Sequence, residues 1–189
     1  MSERETIELE TVGEQSDDEL KAVLPELLQA VEGDLDDLLL NRPEEFRGLV
    51  GRVSALDDMA EFAEQESEAV DAYFRILWGG LERISQEVDA VSEEVTQEFS
   101  VTWSATDSDV AFHMETDPDA GTISGGPGEH GDAELTFLGE TDVLTSMLGD
   151  SDFDPTQAFM QGRFQIDGPI PKAQQMGLFM RNALSKLDD

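Results

Sequence analysis

The sequence predicts an α+β fold, with helices filling the first half of the chain and a sheet assembled in the second. Two periodicities carry this expectation. Large apolar residues recur every three or four positions through most of Leu20 to Val95, the spacing of amphipathic helices, and from Phe99 they alternate with polar residues, the spacing of half-buried strands. A third observation cuts the alternating region into short pieces: the turn-forming runs Asp107-Ser108-Asp109 and Pro118-Asp119-Ala120-Gly121.

Residues 1–15 are polar and without period, which predicts a disordered acidic tail. Ser16 and Glu19 have the spacing of a capping box, and Leu20, Val23, Leu24, Leu27, Leu28 and Val31 form the stripe of the helix behind it. Pro25 is expected to kink or divide that helix, and Gly33 to end it. A short apolar piece, Leu35 to Leu40, comes next. Pro43 suits the first turn of a helix carrying Phe46, Leu49, Val50 and Val53, and Ser54 with Asp57 resembles another helix start.

Val70, Phe74, Leu77, Leu81, Ile84, Val88, Val91 and Val95 are spaced alternately by four and three, which predicts one long amphipathic helix of four heptads. Such a stripe serves either a helix lying on its own sheet or the seam of a homodimer through residues 70–95. Gly79-Gly80 weaken the helix midway and favour the former.

Phe99, Val101 and Trp103 then point one way along a strand, as do Val110, Phe112 and Met114 along the next. A short strand around Ile123, a glycine-rich connection from Ser124 to Gly131 and a strand with Leu135 and Phe137 follow. Helix returns over Glu140–Leu148 and Pro155–Gln161, a strand points Phe164 and Ile166 inward, and Gly168-Pro169 precedes a final helix to Leu187. The expected organisation is a tail (1–15), a helical N-terminal region (16–67) and a second domain (68–189).

Charge restricts function sharply. Asp and Glu number 44 against 11 Lys and Arg, a formal net charge of -33, and only Lys21, Lys172 and Lys186 are lysines. In dilute salt such a surface opposes compaction, whereas at molar salt the screening length falls to ~3 Å and the repulsion becomes tolerable. This composition predicts a halophile, an archaeon by expectation. Disorder and an acidic face for a basic partner are the competing readings, and they fit less well with periodic apolar faces and with acids spread along the whole chain. Nucleic acid is not an expected partner, because there is no basic stripe for phosphates. Without cysteine the chain has no disulfide, thiol nucleophile or Cys-type metal site. The polar start and the lack of 18 consecutive apolar residues predict a soluble, cytoplasmic protein with no integral membrane segment.

No constellation of reactive groups emerges. His113 is out of phase with Phe112 and Met114, His130 lies in the glycine-rich run, and two isolated histidines make no metal site. Ser124-Gly125-Gly126-Pro127-Gly128 lacks the lysine and hydroxyl of a phosphate loop, and no Gly-x-Ser-x-Gly elbow is present. Neither a catalytic residue nor a cofactor is expected.

Three runs carry a resemblance: Ala133-Glu134-Leu135-Thr136-Phe137, then Val143-Leu144-Thr145-Ser146-Met147-Leu148-Gly149, then Ala158 through Gly168. Their order and spacing resemble the sterol carrier protein 2 domain, over about residues 96–189. Ile170-Pro171 departs from that pattern, where the family continues less interrupted into its last helix. The resemblance implies a five-stranded, mostly antiparallel sheet covered by helices, here with a helical N-terminal extension. It also implies an internal apolar tunnel for lipids, acyl chains or sterol-like molecules, and hence an apolar small-molecule partner. The expected wall is Phe112, Met114, Phe137, Met147, Phe153, Phe159, Met160, Phe164, Ile166, Met176, Phe179 and Met180; flexible methionines suit guests of varied shape. The plainer reading of these side chains is a filled core. The alternative function is a non-catalytic scaffold or dimerisation protein assisting enzymes of lipid or isoprenoid metabolism.

Overall fold

The computed structural model describes residues 9–150 and 152–185. The expected tail is shortened from its inner end: Leu9–Glu14 form a 3-10 turn against the third helix, and Val12 is buried in the core. Residues 1–8 lie outside the described residues. Helix α1 (Asp17–Gly33) opens on the expected capping box, with the Glu19 amide donating to Ser16 Oγ and the Ser16 amide to Glu19 Oε2. Pro25 neither divides α1 nor ends it. The apolar piece after it is itself helical, α2 (Leu35–Asn41), and α3 (Pro43–Ser54) begins at the proline as expected.

The next helix does not start at Ser54. That residue closes α3, fully buried, with its hydroxyl 2.7 Å from that of Tyr73. Helix α4 (Met59–Gln65) begins beyond Asp58, which adopts a left-handed conformation (φ 55°). Its start is satisfied from elsewhere in the chain: the Asp142 carboxylate accepts from the Asp58 amide at 3.0 Å and the Met59 amide at 2.7 Å.

The heptad stripe spans more than one helix. Helix α5 (Ser67–Glu87) stops where Val88 turns extended (φ -108°, ψ 98°), and the short α6 (Asp89–Ser92) follows. Val70, Phe74, Leu77 and Leu81 are buried within the molecule, as are Val91 and Val95 after the break. Of the two arrangements such a stripe can serve, this is a helix lying on the chain's own core; Ile84 and Val88 are only partly buried.

Five strands form one sheet: β1 (Ser100–Ala105), β2 (Ala111–Asp117), β3 (Thr122–Pro127), β4 (Leu135–Gly139) and β5 (Phe164–Asp167). Their order is β3-β2-β1-β4-β5, with the central β1–β4 pair parallel and the other pairs antiparallel. The glycine-rich run is not all connection, because Gly125, Gly126 and Pro127 belong to β3 and pair with Met114, His113 and Phe112. Glycine is required at Gly125: a Cβ there would stand 2.8 Å from the Trp78 ring on α5. Helices α7 (Thr141–Gly149) and α8 (Pro155–Met160) precede β5, and α9 (Ile170–Ser185) ends the described chain. Pro171 lies in the first turn of α9, where its missing N–H has no intrahelical partner to lose, so Ile170-Pro171 begins the helix rather than interrupting it.

Apolar residues of α1 and α3, among them Leu20, Leu28, Leu49 and Val53, join the same core as the sheet. Residues 16–67 therefore pack on the sheet-bearing part, through α1 on α5 and α3 on α7.

Candidate functional site

Strand register places one row of side chains across the whole inner face of the sheet. Pro127 pairs with Phe112, Phe112 with Trp103, Trp103 with Phe137, and Phe137 with Ile166. The adjacent row is Gly125, Met114, Val101 and Leu135. Alternation along each strand puts these residues on one face, and the helices bury it.

The rings touch in sequence. Phe74 of α5 stacks on Phe112 (centroids 4.4 Å), Phe112 on Trp103 (5.1 Å), and Trp103 on Phe137 (5.6 Å). Phe137 meets Phe164 at 5.8 Å, and Phe164 meets Phe159 of α8 at 5.6 Å. Trp78 joins from the side, 6.1 Å from Trp103, and its buried indole N–H has no hydrogen-bond partner among the described residues. Toward α9, Phe179 stacks on Phe99 at 5.6 Å. One end of the main line reaches the surface, where Phe159 is 44% exposed; at the other, Phe74 is buried beneath an open cleft of about 660 Å³ between α4, α5 and the β1–β2 turn.

Four of the twelve expected wall residues, Phe112, Phe137, Phe159 and Phe164, are members of this line. Phe112, Met114, Phe137, Phe164, Met176 and Phe179 are buried, and Met147, Phe153, Ile166 and Met180 are partly buried against the same core. Two residues depart. Phe159 is only the outer end of the line, and Met160 is 82% exposed, turned to solvent rather than inward. The reason is local: in the six-residue α8 only Ala158 faces the core, so the neighbouring positions point elsewhere. Sequence reasoning missed Trp103, Phe74 and Trp78 as members of the line. Trp103 was within reach, since it shares the alternation phase of Phe99 and Val101.

None of the expected wall residues lines either of two open clefts. The one at Phe74 is rimmed by Glu64, Asp71, Asp107 and Asp109. The other, about 680 Å³, is walled by Glu82, Glu98, Glu115, Asp117, Asp119, Asp132 and Glu134 with His130. There the His130 ring is already engaged, pairing with Glu115 through Nε2 and with Ser100 Oγ through Nδ1 at 3.0 Å. Among the described residues no group of three or more His, Asp or Glu is arranged to hold a metal ion, and no helix is long and apolar enough to cross a membrane.

Residues 82–181 match the family model of the SCP-2 sterol transfer family. The chain belongs to the SCP-2 sterol transfer family. Its match begins inside α5 and ends inside α9, so α1 to α4 lie outside it. Among solved structures, this SCP-2 family chain is similar to a UbiJ-SCP2 ubiquinone synthesis protein (13% identity, TM-score 0.42, covering 65% of this chain and 98% of that one). It is also similar to sterol carrier protein 2 from Yarrowia lipolytica in its apo form (14%, 0.43, 60% and 91%). A third likeness is to the sterol carrier protein domain 2 of Helicoverpa armigera (17%, 0.39, 59% and 85%). No curated protein sequence matches this SCP-2 chain.

Proposed function

We propose that this protein binds apolar molecules along the inner face of its sheet and carries them. The guest is an isoprenoid lipid, a quinone, a fatty acyl chain or a sterol-like molecule. One observation supports this above the others: a continuous line of rings from buried Phe74 through Phe112, Trp103, Phe137 and Phe164 to Phe159, where the line reaches the surface. Aromatic side chains give a hydrocarbon a large apolar contact, and the indole N–H of Trp103 is the one polar group on the line. Met114, Met147, Met176 and Met180, with Phe153, Ile166 and Phe179, form the adaptable remainder of the wall. The protein acts without chemistry of its own, by binding and release.

The working medium is the salt-rich cytoplasm of a halophilic archaeon. The support is the net charge of -33, which molar salt makes tolerable. Native mass spectrometry of protein kept throughout in molar potassium chloride tests the carrier reading: a co-purifying lipid is expected. Protein that carries no lipid, and that leaves the emission of an added fluorescent fatty acid unchanged, would overturn it.

A further inference from the structure

The charge of this chain is not evenly distributed. All but one of its 44 Asp and Glu residues lie outside positions 155–187, where the single acid is Asp167. The same stretch holds Arg163, Lys172, Arg181 and Lys186, although no Lys or Arg occurs between Arg83 and Arg163. In a molecule otherwise covered by carboxylates, the segment spanning α8, β5 and α9 is thus the place with the least like charge facing an anionic surface; with screening at ~3 Å in molar salt, its cations count only in direct contact with a phosphate.

That segment also carries most of the large apolar side chains that remain uncovered. Met160 is 82% exposed, Leu178 56%, Phe159 44% and Ile170 43%. At the tip of α8, Phe159 and Met160 are followed by a tight turn at Gly162 (φ 71°) and by Arg163, whose guanidinium lies over the Phe153 ring at 5.9 Å. Among the described residues no carboxylate pairs with Arg163 or Arg181, whereas Lys172 is paired with Glu134.

We propose that the α8 tip, comprising Phe159, Met160 and Arg163, docks the protein on an anionic lipid surface. A handful of exposed side chains falls far short of the ~800 Å² per partner that a stable protein interface buries. It is enough to dip into the boundary between headgroups and acyl chains, with an arginine reaching back to the phosphates. A second copy is a poor occupant, because most of its surface is acidic. Phe159 is both the outer end of the ring line and part of this tip, so a guest would pass between bilayer and core without crossing water. This inference rests on the carrier reading for its purpose but is tested separately from it.

The experiment is flotation of the full chain with vesicles of phosphatidylglycerol or of phosphatidylcholine in molar potassium chloride. Uptake of a fluorescent fatty acid is measured in parallel without vesicles. The wild type is expected to float with phosphatidylglycerol and less with phosphatidylcholine. Met160→Asp and Arg163→Glu are each expected to lower the vesicle-bound fraction roughly tenfold while leaving fatty acid uptake in solution unchanged. A wild type that takes up fatty acid but does not float overturns docking and leaves carriage standing. Flotation unaltered in both variants overturns docking through α8. Fatty acid uptake absent in a protein whose flotation still depends on Met160 overturns carriage and supports docking. A dimer in sedimentation that Met160→Asp dissociates, with no flotation, assigns the tip to a second copy and overturns the lipid occupant.

Discussion

Replacing Gly125 with alanine puts a methyl group where the molecule has no room for one. The added carbon would stand 2.8 Å from Trp78 Cδ2 and 2.9 Å from Trp78 Cγ, and would also meet the His113 backbone carbonyl on the neighbouring strand. Carbon atoms rest about 3.5–4.0 Å apart, so α5 or β3 must retreat by close to an ångström. Overpacking on this scale costs about 1–3 kcal/mol, and for a chain of this length about 2 kcal/mol lowers Tm by roughly 4–8 °C. The adjacent glycine supplies the control. A Cβ at Gly126 meets nothing closer than the His113 ring at 3.7 Å and its φ is not positive, so Gly126→Ala should be neutral or stabilise by up to about 1 kcal/mol. Thermal melts in molar potassium chloride, followed by the emission of Trp78 and Trp103, measure both. Equal midpoints for the two variants would refute the reasoning, because the close approach of α5 to β3 would then play no part in stability.

Three other perturbations have defined outcomes. Tyr73→Phe leaves the buried Ser54 hydroxyl without its partner at 2.7 Å and should cost about 1–2 kcal/mol in urea unfolding; adding Ser54→Ala should cost less than the sum of the two single changes, and strict additivity would show that the pair is not coupled. Burial raises the pKa of Asp17, but the Arg52 and Asp57 hydrogen bonds and the charges of Arg52 and Lys21 outweigh it and hold the carboxyl below its ordinary value. The stability it contributes, under about 1 kcal/mol for so exposed a pair, is present above the unfolded pKa and lost as pH falls through the folded one, so Asp17→Asn should make acid unfolding less steep. Dialysis from molar to about 0.01 M salt lengthens screening to about 30 Å and should unfold the chain, as read by circular dichroism; full retention of structure would count against a halophilic design.

The strands were readable because each sets large apolar residues at alternate positions against one buried face, as in Phe112 and Met114 or Leu135 and Phe137. The break at Val88 was not, since the four-three spacing continues through it. The chain must leave α5 there to begin β1, and the later valines are buried by a different route. β3 was cut short in the reading because Gly125-Gly126-Pro127 looks like a turn. Only the tryptophan lying over Gly125 explains a glycine there, and that contact spans 47 residues of sequence. Asp142 carried no signal as the cap of α4, its partners being more than 80 positions away. Burial of the wall candidates was readable where strands fixed the facing direction and was misread at Met160, where a helix of six residues offers too short a period to choose a face.

The outer strands bear on how this protein survives at high concentration. In molar salt, the medium proposed above, the mutual repulsion that keeps acidic molecules apart is lost, so sticking would have to be refused by shape. On the side of β3 that pairs with β2, the Gly128 amide donates to the Ala111 carbonyl at 2.8 Å, which makes the Phe112–Pro127 pair one that exchanges no hydrogen bonds. Pro127 therefore turns outward a nitrogen that has no hydrogen to offer an incoming strand. At the opposite margin β5 is only four residues long and runs into Gly168 at φ 128°, too brief a template for another chain to zip against.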